Sequence, residues 1–451
     1  MCARFVSLHH AGAGLLAVLL TVGARPLAAQ TRPPTDAPEQ HEHQAPVGEA
    51  EQGGHVHDMS QMNHEQRAEA TRESSGTAWQ PDASPMYALH GRAGGWDLMG
   101  HGNAFVQVLH ESGKRGDSQL GSINWIMGMA DRAAGGGALR LRGMFSLEPW
   151  TIRGCGYPDL LASGEICEGE PIHDRQHPHD LLMEIAAQYT HPLAGSLRWE
   201  VYGGPAGEPA LGPAAFPHRL SAMPNPLAPI SHHWLDATHI TFGVVTTGIY
   251  GRRWKAEASA FNGREPDDER ANLDVGALDS VSGRLWFLPT ASLALQVSAG
   301  RLTDAEPGDE GGRIDVDRVT ASATFHRALA PGRFWVSTVA WGRNAEPGHA
   351  SSALLAETTV TLDERNTWFG RFELVGKSAH DLNLDGNDTF TVGKLQGGYT
   401  RYLDAWDSLK AGIGAAVSAG FVPSGLRSAY GSRVNPGLAV FATLRPAPHG
   451  T

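Results

Sequence analysis

The stretch "IHDRQHPHD", residues 172–180, crowds His173, His177 and His179 together with Asp174 and Asp180. A second stretch, "SHHWLDATH", residues 231–239, carries His232, His233, Asp236 and His239, with His218 a little upstream. Neutral imidazole and carboxylate are the ligands that Cu(II) and Zn(II) take, although the spacing here matches no standard zinc motif. An imidazole held by Asp174, Asp180 or Asp236 is also a general base. A hydrolase would need a nucleophile as well; Ser231 is at hand, but no recognisable nucleophile motif surrounds it. The third reading is structural, with loop histidines bonded to carbonyls and carboxylates. No enzyme is expected, and metal binding and loop structure both stay open.

Two further groups could hold ions. "DLNLDGND" spaces Asp381, Asn383, Asp385 and Asp388 as in the first half of a calcium loop, but Val392 stands where a bidentate Glu would complete it. Residues 31–85 are polar, almost without aromatics, and hold His41, His43, His55, His57, Met59, Met62 and His64. Such a composition buries no core, which predicts a disordered arm. Imidazole with thioether suits copper, the soft sulfur favouring the reduced ion. The run "HVHDMSQMNH" resembles the Met/His-rich arms of periplasmic and outer-membrane copper-resistance proteins, a likeness confined to these few residues that implies copper or another transition metal as a partner.

The compartment follows from residues 1–30. Arg4, the apolar run "AGAGLLAVLLTVGA" and the small residues of "PLAAQ" have the layout of a cleaved secretory signal, and the run falls short of the ~20 residues of a spanning helix. Cys155 and Cys167 then remain as an even pair, expected to close a disulfide in an oxidising compartment. The 55 glycines and a mean hydropathy of -0.27 argue against a helical membrane protein, and a net charge of -12 argues against nucleic acid as a partner.

From residue 86 onward one pattern repeats. "LRWEVY", "LMEIAAQY", "ALRLRGMF" and "WFGRFEL" each alternate apolar with polar residues, the period of a strand. Tight breaks such as "RAAGGGA", "HPLAGS" and "LDERNT" alternate with longer Gly/Pro/Asp-rich ones. In lipid every backbone group must pair internally, so strands close into a barrel, with short turns on the periplasmic side and longer loops outside. The expected fold is therefore all-β: a transmembrane antiparallel barrel of about 16 strands over residues 86–451, with long loops near 148–180 and 204–238 and a disordered periplasmic arm before it. It resembles the porin-like bacterial outer-membrane barrels, which implies an outer-membrane location and passage of a small solute.

The alternation turns Arg140, Arg142, Glu184, Arg198, Glu200, Lys255, Glu257, Arg284, Arg371 and Glu373 towards the lumen. Both signs are present, so no anion or cation preference follows. A barrel of this size encloses an aqueous channel unless loops fill it, and the two long loops are placed to do so. The expected role is a channel for small solutes, tied to copper, zinc or another metal; the rival is a non-transporting barrel that sequesters metal. Lipid is the surrounding partner, and association with further copies stays open.

Overall fold

The computed structural model describes residues 71–307, 312–404, 406 and 408–448. The signal segment and the seven His and Met residues of the arm lie outside them. Nineteen strands follow in chain order: β1 (Leu89–Ala93), β2 (Trp96–Glu111), β3 (Ser118–Ala134), β4 (Gly137–Phe145), β5 (Tyr157–Cys167), β6 (Glu170–Gln176), β7 (Leu182–Pro192), β8 (Arg198–Ala206), β9 (Val244–Tyr250), β10 (Trp254–Phe261), β11 (Ser280–Thr290), β12 (Leu293–Pro307), β13 (Arg313–Ala330), β14 (Arg333–Glu346), β15 (His349–Thr361), β16 (Asn366–Ser378), β17 (Thr389–Leu403), β18 (Leu409–Phe421) and β19 (Val434–Pro446). All except β1, β5 and β6 form one antiparallel barrel of 16 strands. β19 closes it on β2 from Gly437↔Glu111 to Leu444↔Ala104. β1 takes the rest of that edge of β2, from Leu89↔Gly100 to Ala93↔Trp96, and Tyr87 bridges to Pro448. The seam is thus built from both ends of the described chain.

Why these strands belong in a membrane is plain on β19. Leu438, Val440 and Leu444 point outward and are exposed, while Asn435, Thr443 and Arg445 point inward and are buried. The same inversion, apolar outside and polar inside, recurs on β2, where Val106 and Val108 are more than half exposed and Gln107 and Glu111 buried. An apolar exterior on a closed wall with every ladder paired is what lipid demands of a β-protein. The chain is a closed antiparallel barrel of 16 strands with a wall suited to lipid. Among the described residues no helix is long and apolar enough to cross a membrane.

Three segments fill the lumen. The β4–β7 connection carries a helical turn α1 (Glu148–Thr151) and the β5–β6 hairpin, the Cys155–Cys167 disulfide tying the approach to β5 to that strand's end. The β8–β9 connection carries the turn α2 (His232–Leu235), and every residue from 206 to 244 is buried or half-buried. The third segment corrects the expected arm boundary. Residues 71–85 are folded into the turn end of the barrel. Arg142 donates to the carbonyls of Gly76 and Ser74, Lys255 Nζ lies 2.7 Å from Thr77 O, and Trp79 packs edge-on against Tyr250. Trp79 is a large buried side chain in a stretch whose average composition reads as solvated.

The lumen-facing charges bind these insertions rather than lining open water. Lys255 joins Glu200 at 2.5 Å and Glu257 at 3.1 Å, and Arg284 reaches Glu257 and Glu208. Arg142 pairs with Glu184, and Arg140 with Asp131 and Glu73. Glu373 accepts from the backbone and hydroxyl of Ser231, and Arg371 donates to Glu357 and to Leu227 O. Arg198 stays at the rim, donating to the Gly195 and Leu197 carbonyls of its own turn. Buried charges in such number are tolerated only because each finds a partner.

Candidate metal-binding column in the lumen

The two histidine stretches sit on the inserted loops, and their anchors decide where the rings go. Ser231 is tied to Glu373 of β16, Trp234 Nε1 donates to Ser351 Oγ at 2.7 Å, and Asn344 Nδ2 donates to His233 O at 3.1 Å. These fix α2 against β14, β15 and β16. Within it, His232 and Asp236 stand four residues apart on one helical face, with His232 Nδ1 2.8 Å from Asp236 Oδ1. Gly164 of β5, at φ +118°, passes so close to His233 that a Cβ there would lie 2.2 Å from its ring. Pro178 holds His177 and His179 in extended chain beside them.

The fold brings five of these imidazoles into one column. Ring centroids run His233–His232 5.4 Å, His232–His239 5.1 Å and His239–His179 5.4 Å. His177 flanks it, 6.0 Å from His233 and 6.2 Å from His232. Phe216 packs among His179, His232 and His239. In all five the Nδ1 atom has an acceptor: Glu265 for His233 at 3.1 Å, Asp236 for His232, Glu148 for His179 at 2.9 Å, Asp236 O for His239 at 2.9 Å and Pro178 O for His177 at 3.2 Å. Carboxylates and carbonyls only accept, so Nδ1 carries a proton in each ring, and in a ring that is neutral and has no second acceptor Nε2 keeps its lone pair. That is the arrangement by which proteins orient metal-ligating histidines. Nε2 of His233 and of His239 is buried and has no hydrogen-bond partner; that of His177 lies 3.1 Å from Glu165.

Burial pushes His177 and His239 well below the ordinary imidazole range and His232 down to about 4, despite its bond to Asp236. These rings are neutral, the ligating form. Burial also opposes charge on His179 and His233, but Glu148 and Glu265 outweigh it and lift both. For Asp236, burial is overcome by Arg219 and His232, which hold its carboxyl far below the usual range. At the loop end of the column His233, Glu265 and Glu306 place one ligand atom each within 4.8 Å of one another, alone among the described residues in doing so.

Other expected site residues lie elsewhere. His173 is half-buried on the β5–β6 hairpin, its Nδ1 3.4 Å from Pro171 O, apart from the column. Asp174, at φ +56°, is taken up by Leu161 N, Arg115 and Tyr430. Asp180 sits beside Arg270 at 3.5 Å, and burial pushes its carboxyl up to about 7. Asp236 is committed to Arg219, His232 and Phe216 N. In the loop after β16, Asp381 caps Ser378 N and Asp388 gives its carbonyl to Ala379 N, while Asn383, Asp385 and Asp388 are exposed. Asp381, Asp385 and Asp388 do not gather into a three-carboxylate set. Ser231 Oγ donates to Glu373 at 2.7 Å, so its bond in this arrangement goes to a carboxylate.

Glu265, Glu306 and Glu148 are the functional neighbours that sequence reasoning missed. The first two stand in the acidic stretches "NGREPDDER" and "TDAEPG", and nothing in those runs tells an inward Glu from a solvated one.

Among solved structures, the fold is similar to an anion-selective porin from Comamonas acidovorans, with a TM-score of 0.47 at 9% identity over 78% of this chain and 99% of that one. It is similar to OmpF of Salmonella typhi in complex with daunomycin, with a TM-score of 0.47 at 11% identity over 79% and 100%. The outer-membrane channel DcaP of Acinetobacter baumannii gives 0.44 at 8% identity over 78% and 98%. No protein-family model matches the chain, and no curated protein does.

Proposed function

We propose that this outer-membrane barrel is a channel whose filled lumen passes a small solute, and that the solute is a transition-metal cation handed along the imidazole column. The observation that carries this is that all five rings are engaged through Nδ1, four of them at successive centroid distances of 5.1–5.4 Å, with Nε2 of His233 and His239 buried and unbonded. Imidazoles used only to fill space have no reason to share one polarity. On this reading His233, Glu265 and Glu306 form the outer station, and the His/Met residues of the arm collect ions on the periplasmic side. Copper and zinc are the metals that such ligands suit.

The test is flux through the purified protein in liposomes, with Zn(II) outside and a zinc-sensitive dye inside, beside conductance in planar bilayers. Zn(II) entry that falls at least tenfold in His239→Ala and His232→Ala, with little leak of sucrose, is the expected result. Large alkali-chloride conductance indifferent to Zn(II) and to these substitutions would make the protein a general porin. That no residue from 206 to 244 is exposed favours a second reading, a barrel that retains metal without passing it. Bound zinc without flux would decide for that.

A further inference from the structure

All seven methionines among the described residues gather at one place near the turn end of the barrel. Met127, Met129, Met144 and Met183 form a buried cluster with Met99 packed against it. Met86 and Met223 complete the group, lining with Met99 and Met129 a cavity of about 350 Å³. Methionine commonly fills irregular gaps in a core. Packing alone would surround these sulfurs with hydrocarbon, and here two imidazoles enter instead.

His218, on the inserted β8–β9 connection, places Nε2 3.4 Å from Met144 Sδ. His101 of β2 lies with its ring 5.4 Å from that of His218, and its Nε2 is buried with no hydrogen-bond partner. A thioether sulfur and an imidazole nitrogen on one tetrahedral ion, at about 2.3 and 2.0 Å, stand roughly 3.5 Å apart. The observed pair is already at ligand spacing. The cavity is lined by two arginines, Arg140 and Arg142, and three carboxylates, Glu73, Asp97 and Asp131, an excess of one negative charge. Such surroundings suit a low ionic charge, and the donors are soft.

We infer that Met144 and His218, with His101 and Met99 beside them, form a binding site for a soft monovalent cation of the Cu(I) or Ag(I) class. Thioether sulfur selects such ions over Zn(II) or Mg(II). The inference deepens the conduit reading and rests on it for the purpose of the site, since His218 stands two residues from Phe216, whose ring packs against those of His179 and His239. The soft site would then be the inner station of the same column. Binding itself is testable without transport.

Trp125 is a built-in reporter, its ring 4.6 Å from His218 and 5.3 Å from His101. The full-length protein, folded in detergent micelles without chloride, is titrated with silver(I) nitrate while tryptophan emission is followed, and retained silver is counted after desalting. Quenching that disappears in Trp125→Phe is expected. Met144→Leu, which conserves volume, and Met144→Leu with His218→Gln should each lose one silver per chain, or weaken that site at least about tenfold. Excess Zn(II) should not compete. Equal silver retention in wild type and both variants overturns the site, as does displacement by Zn(II). Loss of silver binding in both variants with silver(I) flux into liposomes unchanged would refute the site's place as the inner station, whereas silver binding without any metal flux refutes only the conduit.

Discussion

Arg219 Nε meets Glu357 Oε1 at 2.5 Å, with both side chains about 2% exposed or less. One residue belongs to an inserted loop and the other to β15 of the wall, so this contact couples filling to barrel. Its second arm donates to Asp236 at 2.8 Å, the same carboxylate that orients His232. Position in the column is therefore set from the wall.

Breaking that link should loosen the filling. Arg219→Leu leaves Glu357 and Asp236 with one cation fewer, and removal of one partner from a buried pair costs about 3–5 kcal/mol. The expected outcome is a lower guanidinium midpoint in detergent together with raised conductance in planar bilayers. Arg219→Lys keeps the charge but not the fork and should fall between. Wild-type conductance in Arg219→Leu would show that the loop is held by its other contacts.

The segment before β1 should come out with one side chain. Trp79 packs with Trp286, Leu288 and Ala294 and under Lys255, and truncating a buried Trp to Ala costs about 3–5 kcal/mol. Trp79→Ala should make residues 71–85 cleavable by an added protease while the barrel still migrates as folded on unheated gels. Resistance to cleavage would place the anchoring in the Arg142 and Lys255 bonds to backbone instead.

A pH dependence follows from Glu208, which lies against Gly76 and 3.7 Å from Arg284. Burial, opposed by Arg284, pushes its carboxyl up to about 8. A folded value above the unfolded one means that the fold holds the proton. The contribution is complete below the unfolded value, about 4.3, and is lost as pH rises through 8. Glu208→Gln removes this titration. Its midpoint in guanidinium should gain on wild type steadily from pH 5 to 8 and level off above. A gap that stays constant with pH would mean that Glu208 is ionised throughout.

The wall was legible because lipid leaves strands no freedom. A residue facing outward must be apolar, so β19 and β8 announce both their period and their sides. The histidines were legible as a density of ligands, since both stretches are compact in sequence. Their grouping was not: His177 and His233 meet across two separate loops, and sequence spacing is silent on which loops turn inward. Residues 71–85 were missed because composition averages over a window, whereas a single Trp79 with backbone carbonyls aimed at Arg142 and Lys255 is enough to dock a chain. The methionines escaped for a further reason, being scattered one or two at a time over β2, β3, β4, β7 and the loops, where each passes for ordinary filler.

The shared seam has a consequence for biogenesis. The edge of β2 is completed partly by β19 and partly by β1, and β1 follows directly on residues 71–88 inside the lumen. The ladder that closes the barrel therefore joins the two ends of the described chain around the lumen segments. Closure of such a barrel is expected to require its interior to be occupied, so a chain shortened at its amino end should stall at the same step as one shortened at its carboxyl end.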